Sequence, residues 1–161
     1  MFVARDAKGQ LVNVLEDKLE KEAYTCPACG GQLRLRQGPS VRAHFAHKTL
    51  KDCDFSSENE SPEHLENKKS LYHWLKKDSE VQLEYPLPEL KQIADVCVNG
   101  NLALEVQCSS LSQDRLWERS QRYRQAGYQV LWLLGKKLWL RQTLTPLQKQ
   151  FLYFSQNMGF H

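Results

Sequence analysis

The chain lacks an apolar segment that could cross a membrane. A membrane-spanning helix needs about 20 consecutive apolar residues, and no run in the 161 residues approaches that length. The first residues, Met1–Asp6, also lack the apolar stretch of a secretory signal peptide. These absences predict a cytoplasmic protein without a membrane segment.

Internal repeats, low-complexity tracts and a large net charge are absent as well. The formal net charge of +3 neither establishes nor opposes a nucleic-acid partner. The hydrophobic fraction of 41% and the charged fraction of 25% are ordinary for a globular domain. At 161 residues the chain has room for one domain, or for a small module followed by a core of about 100 residues.

The cysteines do not have the pattern of a disulfide framework. There are five of them, an odd number, and Cys26 and Cys29 stand in C-x-x-C spacing. In a cytoplasmic protein this spacing indicates a metal site or free thiols. A redox pair or simple surface thiols are the alternative interpretation.

A zinc site is the interpretation that explains most of these residues. The run Cys26–Gly31 resembles a knuckle in which glycines let backbone amides turn toward thiolate sulfurs. Four tetrahedral ligands can be drawn from Cys26, Cys29, His44, His47 and Cys53. If residues 41–47 form a strand, His44 and His47 point to opposite faces. We therefore predict zinc ligands at Cys26, Cys29, His47 and Cys53, and leave His44 as a supporting or functional group.

The stretch Ile93–Cys108 predicts a β-hairpin around Asn99-Gly100. A two-residue turn would place Asp95 and Glu105 on opposite faces, whereas a three-residue loop pairs them. Because a one-residue slip exchanges the faces, the hydrophobic pattern decides between these registers. The three-residue loop gives one face that is entirely apolar, made of Ala94, Val96, Val98, Leu102, Leu104, Val106 and Cys108. We adopt that register.

This register makes Asp95 and Glu105 direct cross-strand neighbours. Their Cβ atoms are then roughly 5 Å apart, and like charges at that spacing destabilise a sheet. A divalent cation would neutralise them, and two carboxylates with the amide of Gln107 suit Mg²⁺ or Mn²⁺. The alternative is a solvent-facing strand that carries two scattered acids.

Residues 61–77 are predicted to form a helix that begins with a serine cap followed by proline. Its apolar arc contains Leu65, Leu71, Tyr72 and Leu75, with Trp74 at the edge. His64 and Lys68 fall inside the same arc, and we interpret both as pointing into a site. The alternative is that Lys68 snorkels while His64 bonds locally. Glu63 lies well off the arc.

A second helix is predicted at residues 113–126, ending at Gly127. Its basic residues Arg115, Arg119 and Arg122 share one face. That face is either simply solvated or binds phosphate. The apolar run 129–134 predicts a strand buried on both sides, and the residues from Thr145 predict a last helix.

The order of these elements resembles the PD-(D/E)XK nuclease superfamily, and the motifs resemble the CoiA-like competence protein family more closely. The motifs that carry the resemblance are Cys26-Pro27-Ala28-Cys29-Gly30, His44-Phe45-Ala46-His47 with Cys53, Glu63-His64 with Lys68, Ala94-Asp95-Val96, Glu105-Val106-Gln107-Cys108-Ser109, and Tyr123 before Val130-Leu131-Trp132. The resemblance implies an α+β fold. A zinc-ribbon-like module at residues 1–57 would precede a restriction-endonuclease-like core at 58–161, with a mixed sheet flanked by helices.

The resemblance also implies a function in bacterial transformation. Incoming DNA, single-stranded or branched, is the expected partner, together with recombination proteins. A structural Zn²⁺ and a catalytic Mg²⁺ or Mn²⁺ are the expected metals, the latter bound by Asp95, Glu105 and the backbone carbonyl of Val106. Family members look longer at the C-terminus than this chain.

The chain departs from many nucleases of this fold at Gln107, which stands where they carry a catalytic lysine. Glutamine cannot supply a positive charge, so Lys68 or His64 is expected to assist, with Gln107 orienting water or metal. The alternative is a non-catalytic DNA-binding or recombination-adaptor module on a degenerate nuclease scaffold.

Overall fold

The computed structural model describes residues 1–20, 22–49 and 60–156. In chain order, its elements are β1 (Val3–Arg5), β2 (Leu11–Asn13), β3 (Tyr24–Thr25), β4 (Gln32–Gly38), β5 (Val41–His47), α1 (Pro62–Leu75), β6 (Val81–Leu87), β7 (Gln92–Val98), β8 (Leu102–Gln107), α2 (Gln113–Gln125), β9 (Gln129–Leu134) and α3 (Pro146–Gln156). The predicted α+β class is confirmed. Among the described helices, none is both long and apolar enough to span a membrane.

The N-terminal strands form an antiparallel sheet in the order β2-β1-β3-β4-β5. The β1–β2 hairpin turns at Gly9, whose φ of 79° favours glycine. The small core of the N-terminal sheet consists of the buried residues Ala4, Tyr24, Cys26, Leu33 and Phe45. The strand considered at residues 41–47 is present as β5.

The C-terminal sheet is mixed, with the order β6-β7-β8-β9. The first two pairs are antiparallel, whereas β8 and β9 are parallel. Parallel neighbours need a crossover connection, and α2 provides it. The predicted mixed sheet is therefore present.

Helices cover both faces of this sheet. On one face, Leu65 and Tyr72 of α1 pack in a buried cluster with Val96, Val98 and Leu104. On the other face, Tyr123 of α2 packs against Ala94 and Ala103. Strand β8 is buried from Ala103 to Gln107. The prediction that residues 129–134 are buried on both sides is wrong, because every residue of the edge strand β9 is at least partly exposed.

Helix α1 begins where the sequence predicts. The hydroxyl of Ser61 accepts a hydrogen bond from the backbone N–H of His64 at 3.1 Å, and Pro62 occupies the first turn. The helix ends at Leu75, two residues before the predicted end at Lys77, and Lys76 forms its C-terminal cap. The cap geometry fixes the start of the helix, and with it the position of His64.

The predicted hairpin register is confirmed. Strands β7 and β8 pair as Val96–Leu104, Cys97–Ala103 and Val98–Leu102, which leaves a three-residue loop. The predicted apolar face is wrong at one position, because Ala94 packs with the Tyr123 cluster while Val96 packs with the Leu65 cluster. Side-chain alternation is therefore interrupted at Asp95.

An irregularity in the neighbouring strand lies at the same level. Strand β6 pairs Leu83 with Val96 and Tyr85 with Ala94, which places Glu84 across from Asp95. Glu84 has a φ of 49°, a left-handed conformation that is uncommon for residues other than glycine. Strain of this kind is concentrated at functional sites, and both irregular residues carry carboxylates.

Candidate functional site

A buried lysine, Lys68 of α1, lies at the centre of a network of charges between α1 and the C-terminal sheet. Its side chain is 1% exposed, and its Nζ donates to Glu84 Oε1 at 2.7 Å and to Glu60. Asp95 Oδ1 lies 3.6 Å from the same Nζ. Burial opposes the charge of Lys68, but these carboxylates outweigh it and hold its pKa well above the ordinary value.

Asp95 is held by two further groups. Its Oδ2 accepts the backbone N–H of Val106 at 2.8 Å and lies 2.9 Å from His64 Nε2. Burial by itself would raise the pKa of Asp95, but the charges of His64 and Lys68 lower it. Asp95 is therefore a carboxylate positioned by the backbone of β8 and by two side chains of α1.

These residues include a set of possible metal ligands. Single ligand atoms of Glu60, His64 and Asp95 all lie within 4.8 Å of one another. Carboxylate oxygens and an imidazole nitrogen suit Mn²⁺, and the oxygens suit Mg²⁺. Three carboxylates, those of Glu60, Glu84 and Asp95, face the ammonium groups of Lys68 and of Met1. Burial lowers the pKa of His64, but Asp95 outweighs burial and raises it above the ordinary value. When a bound ion replaces that proton and His64 is neutral, one negative charge remains, so the donor set fits an added cation.

Glu105 has different partners from Asp95. Its Oε1 accepts from Arg119 Nη2 at 2.7 Å and from the hydroxyl of Tyr123, both on α2. Burial raises the pKa of Glu105 above its ordinary value, although Arg119 opposes that effect. The expected repulsion between Asp95 and Glu105 is thus offset by Lys68 beside Asp95 and by Arg119 beside Glu105. Within the described residues, Glu105 is not part of the cluster formed by Glu60, His64 and Asp95.

The remaining predicted residues of the hairpin and α1 have structural partners. The amide nitrogen of Gln107 donates to the carbonyl of Ser109 at 2.8 Å. Glu63 Oε1 accepts the backbone N–H of Lys136 at 2.7 Å, which ties α1 to the turn after β9. The structure brings His64, Lys68 and the Val106 amide to Asp95, but gives Gln107 and Glu63 other contacts.

The three arginines of α2 do not share one open surface. Arg119 is engaged by Glu105, and its guanidinium lies 5.5 Å from the ring centre of Trp132. Arg122 pairs with Glu118 and donates to the carbonyl of Leu90 at 3.3 Å. Of the predicted DNA-binding set, Arg115 has no ion pair within residues 1–20, 22–49 and 60–156.

The predicted zinc ligands of the N-terminal sheet also converge. Ligand atoms of Cys26, Cys29 and His47 lie within 4.8 Å of one another. The Gly31 N–H donates to Cys29 Sγ at 3.3 Å, the type of amide-to-sulfur contact expected of a knuckle. Burial raises the pKa of the Cys26 thiol to about 12, so the thiolate form needs a nearby cation. Two thiols and an imidazole fit three positions of a tetrahedral zinc site.

The other two candidates for this site differ in their placement. His44 Nδ1 lies 2.7 Å from the carbonyl of Arg42, and His44 is outside the cluster of ligand atoms. Cys53, the fourth predicted ligand, lies outside the described residues.

Two carboxylates of the Lys68 network were not among the predicted site residues. Glu84 stands at a polar position of an alternating strand, a pattern typical of a solvent-exposed side chain, yet it is 3% exposed. Its carboxylate accepts the N–H groups of Phe2 and Val3 at 2.7 and 2.9 Å, so it links the two sheets. Glu60 stands in a polar stretch typical of a linker. The sequence did contain an indication of Glu84: Lys68 lies in the apolar arc of its helix, and a buried lysine needs an acidic partner.

The glycine after β9 is a point of close approach between α1 and the segment that follows β8. A Cβ at Gly135 would lie 2.8 Å from Cys108 Sγ and 3.0 Å from both Cys108 Cα and Glu63 Oε1. We expect Gly135→Ala to lower the free energy of unfolding by about 1–3 kcal/mol through overpacking, measured by urea denaturation. Gly38→Ala is the control, since nothing described lies within 4 Å of its added Cβ. Equal stability of the two variants would contradict the close approach.

Taken together, the fold and site define the class: an α+β protein in which a helix and a mixed sheet enclose a network of ionisable side chains. Residues 60–161 match the family model "Competence protein CoiA, nuclease-like domain", and residues 9–56 match "Competence protein CoiA, N-terminal domain". The chain belongs to the CoiA competence protein family.

A curated relative supports the same assignment. "Competence protein CoiA" of Bacillus subtilis (strain 168) is 35% identical over 122 residues, which are 73% of this chain and 33% of that protein. The chain thus spans about a third of the length of this relative. No solved structure matches the chain.

Proposed function

We propose that this chain is a metal-dependent DNA nuclease that processes incoming DNA during competence. The observation that supports this most directly is the convergence of Glu60, His64 and Asp95, with ligand atoms within 4.8 Å, beside the buried ammonium of Lys68. Membership of a family with a nuclease-like domain gives the same direction. The mixed sheet flanked by helices is compatible with a PD-(D/E)XK core.

A bound Mg²⁺ or Mn²⁺ would supply Lewis-acid activation of water and of the scissile phosphate. The chain's own groups then have distinct roles in the proposal. Asp95, which the Val106 amide fixes, would hold the ion together with His64 and Glu60. Lys68 provides the positive charge that Gln107 cannot provide, and from its buried position keeps Asp95 ionised for the metal.

The role of Glu105 in this site depends on Arg119. The hairpin pairs its strand with that of Asp95, but its carboxylate is bound to Arg119 and Tyr123. It joins the ligand set only when Arg119 releases it. Glu105→Gln would then reduce activity and also leave Arg119 without its partner.

The test is cleavage of labelled single-stranded, duplex and branched DNA with Mg²⁺ or Mn²⁺. We expect Asp95→Asn to reduce the cleavage rate by at least about 100-fold. The variant loses the charged metal ligand and its ionic contacts with His64 and Lys68. Glu89→Gln, an exposed carboxylate beside β6, is the control and should cleave like the parent. Cleavage by Asp95→Asn at the parental rate would overturn the assignment.

The ion pair between Arg119 and Glu105 favours a second candidate function. A nuclease site whose second carboxylate is locked by arginine resembles a scaffold that binds DNA without cutting it. This non-catalytic adaptor would bind DNA in the same assay and leave every substrate intact with both metals. In either role, DNA and recombination proteins are the proposed partners in the cell.

We also propose a structural Zn²⁺ bound by Cys26, Cys29 and His47, with Cys53 as the fourth ligand. The division into modules at residues 1–57 and 58–161 is retained as part of this proposal. The two family matches, which end at residue 56 and begin at residue 60, support it.

A further inference from the structure

Two exposed tryptophans line one groove between α1 and the turn that follows β9. Trp74 is 66% exposed and Trp139 is 58% exposed. Leu71, Leu133 and Gly135 also line this groove, which has a volume of about 630 Å³. Large apolar side chains gathered in one open groove mark a binding surface more often than isolated ones do.

The dimensions and chemistry of the groove suit flat aromatic ligands. Its volume lies within the roughly 300–1,000 Å³ of known ligand pockets. Exposed indole rings stack on nucleobases irrespective of base identity, since every base has a π-face. Trp74 and Trp139 give the groove two such rings.

The segment around Trp139 is basic, and its Lys136 lines the groove. Residues 135–141, Gly-Lys-Lys-Leu-Trp-Leu-Arg, contain Lys136, Lys137 and Arg141 and no acidic residue. None of these three cations forms an ion pair with any other described residue. Positive groups without acidic partners attract phosphates and make binding salt-dependent.

Two acids also line the groove, but each already has a partner. Glu63 accepts the backbone N–H of Lys136, and Glu66 pairs with Arg42. Arg42 offsets the charge of Glu66, whereas the backbone contact holds the Glu63 carboxylate in place without neutralising it.

The groove adjoins the candidate site at Val106. Val106 lines it, and the N–H of the same residue holds Asp95 at 2.8 Å. Glu63 also lines it and precedes His64 in α1. A strand bound in the groove would thus lie next to the groups proposed for catalysis.

We infer that this groove binds single-stranded DNA, with unpaired bases stacked on Trp74 and Trp139 and phosphates beside Lys136, Lys137 and Arg141. The inference rests on the proposed function, because it names the form of DNA offered to the Asp95 site. Bases in a duplex are stacked on each other and paired, whereas unpaired bases leave their faces open to indole rings.

The test is the affinity of a fluorescein-labelled thymidine oligonucleotide of about 12 nucleotides, within the usual site size of single-strand binders. Anisotropy is measured in magnesium-free buffer, and gels verify that the strand stays intact. We expect Trp74→Ala and Trp139→Ala each to weaken binding by about 5- to 150-fold, the range for loss of one stacked base. Trp74→Phe and Trp139→Phe should retain most of the affinity.

The matched control is Trp117→Ala. Trp117 is 57% exposed but lies on α2, away from the groove. This variant should bind like the parent, and its tryptophan fluorescence should still be quenched by the oligonucleotide. Circular dichroism melting verifies that all variants are folded, as expected for exposed positions.

Several outcomes would overturn the inference. One is parental affinity in the Trp74→Ala, Trp139→Ala double variant, and another is an equal loss in Trp117→Ala. Equal, tryptophan-independent binding of duplex DNA would reduce the groove to phosphate contacts, and tighter binding of an RNA strand of the same length would contradict the assignment to DNA. Binding of a protein segment in place of any oligonucleotide would likewise reject it.

The two proposals can fail separately. Tryptophan-dependent binding of single-stranded DNA without cleavage in Mg²⁺ or Mn²⁺ would refute the nuclease and support the groove. Metal-dependent cleavage that needs Asp95 and is unchanged in both tryptophan variants would do the reverse.

Discussion

Replacing Lys68 by Met is expected to lower the free energy of unfolding by about 3–5 kcal/mol, the usual cost of removing one partner from a buried ion pair. The ammonium group of Lys68 contacts Glu60 and Glu84 and lies 3.6 Å from Asp95. Without it, these carboxylates lie close together in a largely buried space with one fewer cation. Urea denaturation followed by circular dichroism measures the change.

Two further variants distinguish a charge effect from a packing effect. Lys69→Met changes the neighbouring lysine, which is half-buried and has no ion pair among the described residues, and should cost little. Adding Glu84→Gln to Lys68→Met should recover part of the lost stability, because it removes one uncompensated charge. If Lys68→Met is as stable as Lys69→Met, the buried network is not a structural element.

The parent protein is expected to contain about one zinc ion per chain, and replacing Cys26 by Ser is expected to abolish zinc binding. Structural zinc sites contribute apparent binding free energies of about 10–16 kcal/mol in zinc-finger peptides, so the N-terminal sheet should also lose protection from protease. His47→Ala should have the same effect, because His47 Nε2 lies 3.5 Å from Cys29 Sγ. Metal content is measured by mass spectrometry on protein purified without chelators.

The chain provides a matched control for each residue type. Cys97→Ser alters a buried cysteine of the C-terminal sheet, and His44→Ala alters the histidine that lies outside the cluster. Both variants should keep their zinc. Full zinc in Cys26→Ser and His47→Ala, or none in the parent protein, would reject the site.

Some parts of the structure follow from short stretches of sequence. The register of the hairpin could be predicted because only one pairing buries a nearly continuous apolar set. The start of α1 could be predicted because Ser61 and Pro62 act locally on the first helical turn. The convergence of Cys26, Cys29 and His47 could also be predicted, because the knuckle and the alternation of side chains along a strand limit which side chains can meet.

The ionic partners depended on packing between distant segments. Asp95 and Glu105 are cross-strand neighbours in the predicted register, yet one contacts α1 and the other α2. Alternation alone puts both on one face, and it is interrupted at Asp95. Arg119 was a candidate for phosphate binding or for a solvated face, and it instead pairs with Glu105. A helical wheel shows which residues share a face, but it does not show what covers that face.

The sequence by itself determined the family, the order of the elements, the hairpin register and three converging zinc candidates, because these depend on motifs and local periodicity. Only the tertiary structure decided that Lys68 meets Glu60 and Glu84, and that Trp74 and Trp139 line one groove. Those contacts join residues far apart along the chain. They arise from how α1, the N-terminal strand and the end of β9 pack around the mixed sheet, which no local pattern specifies.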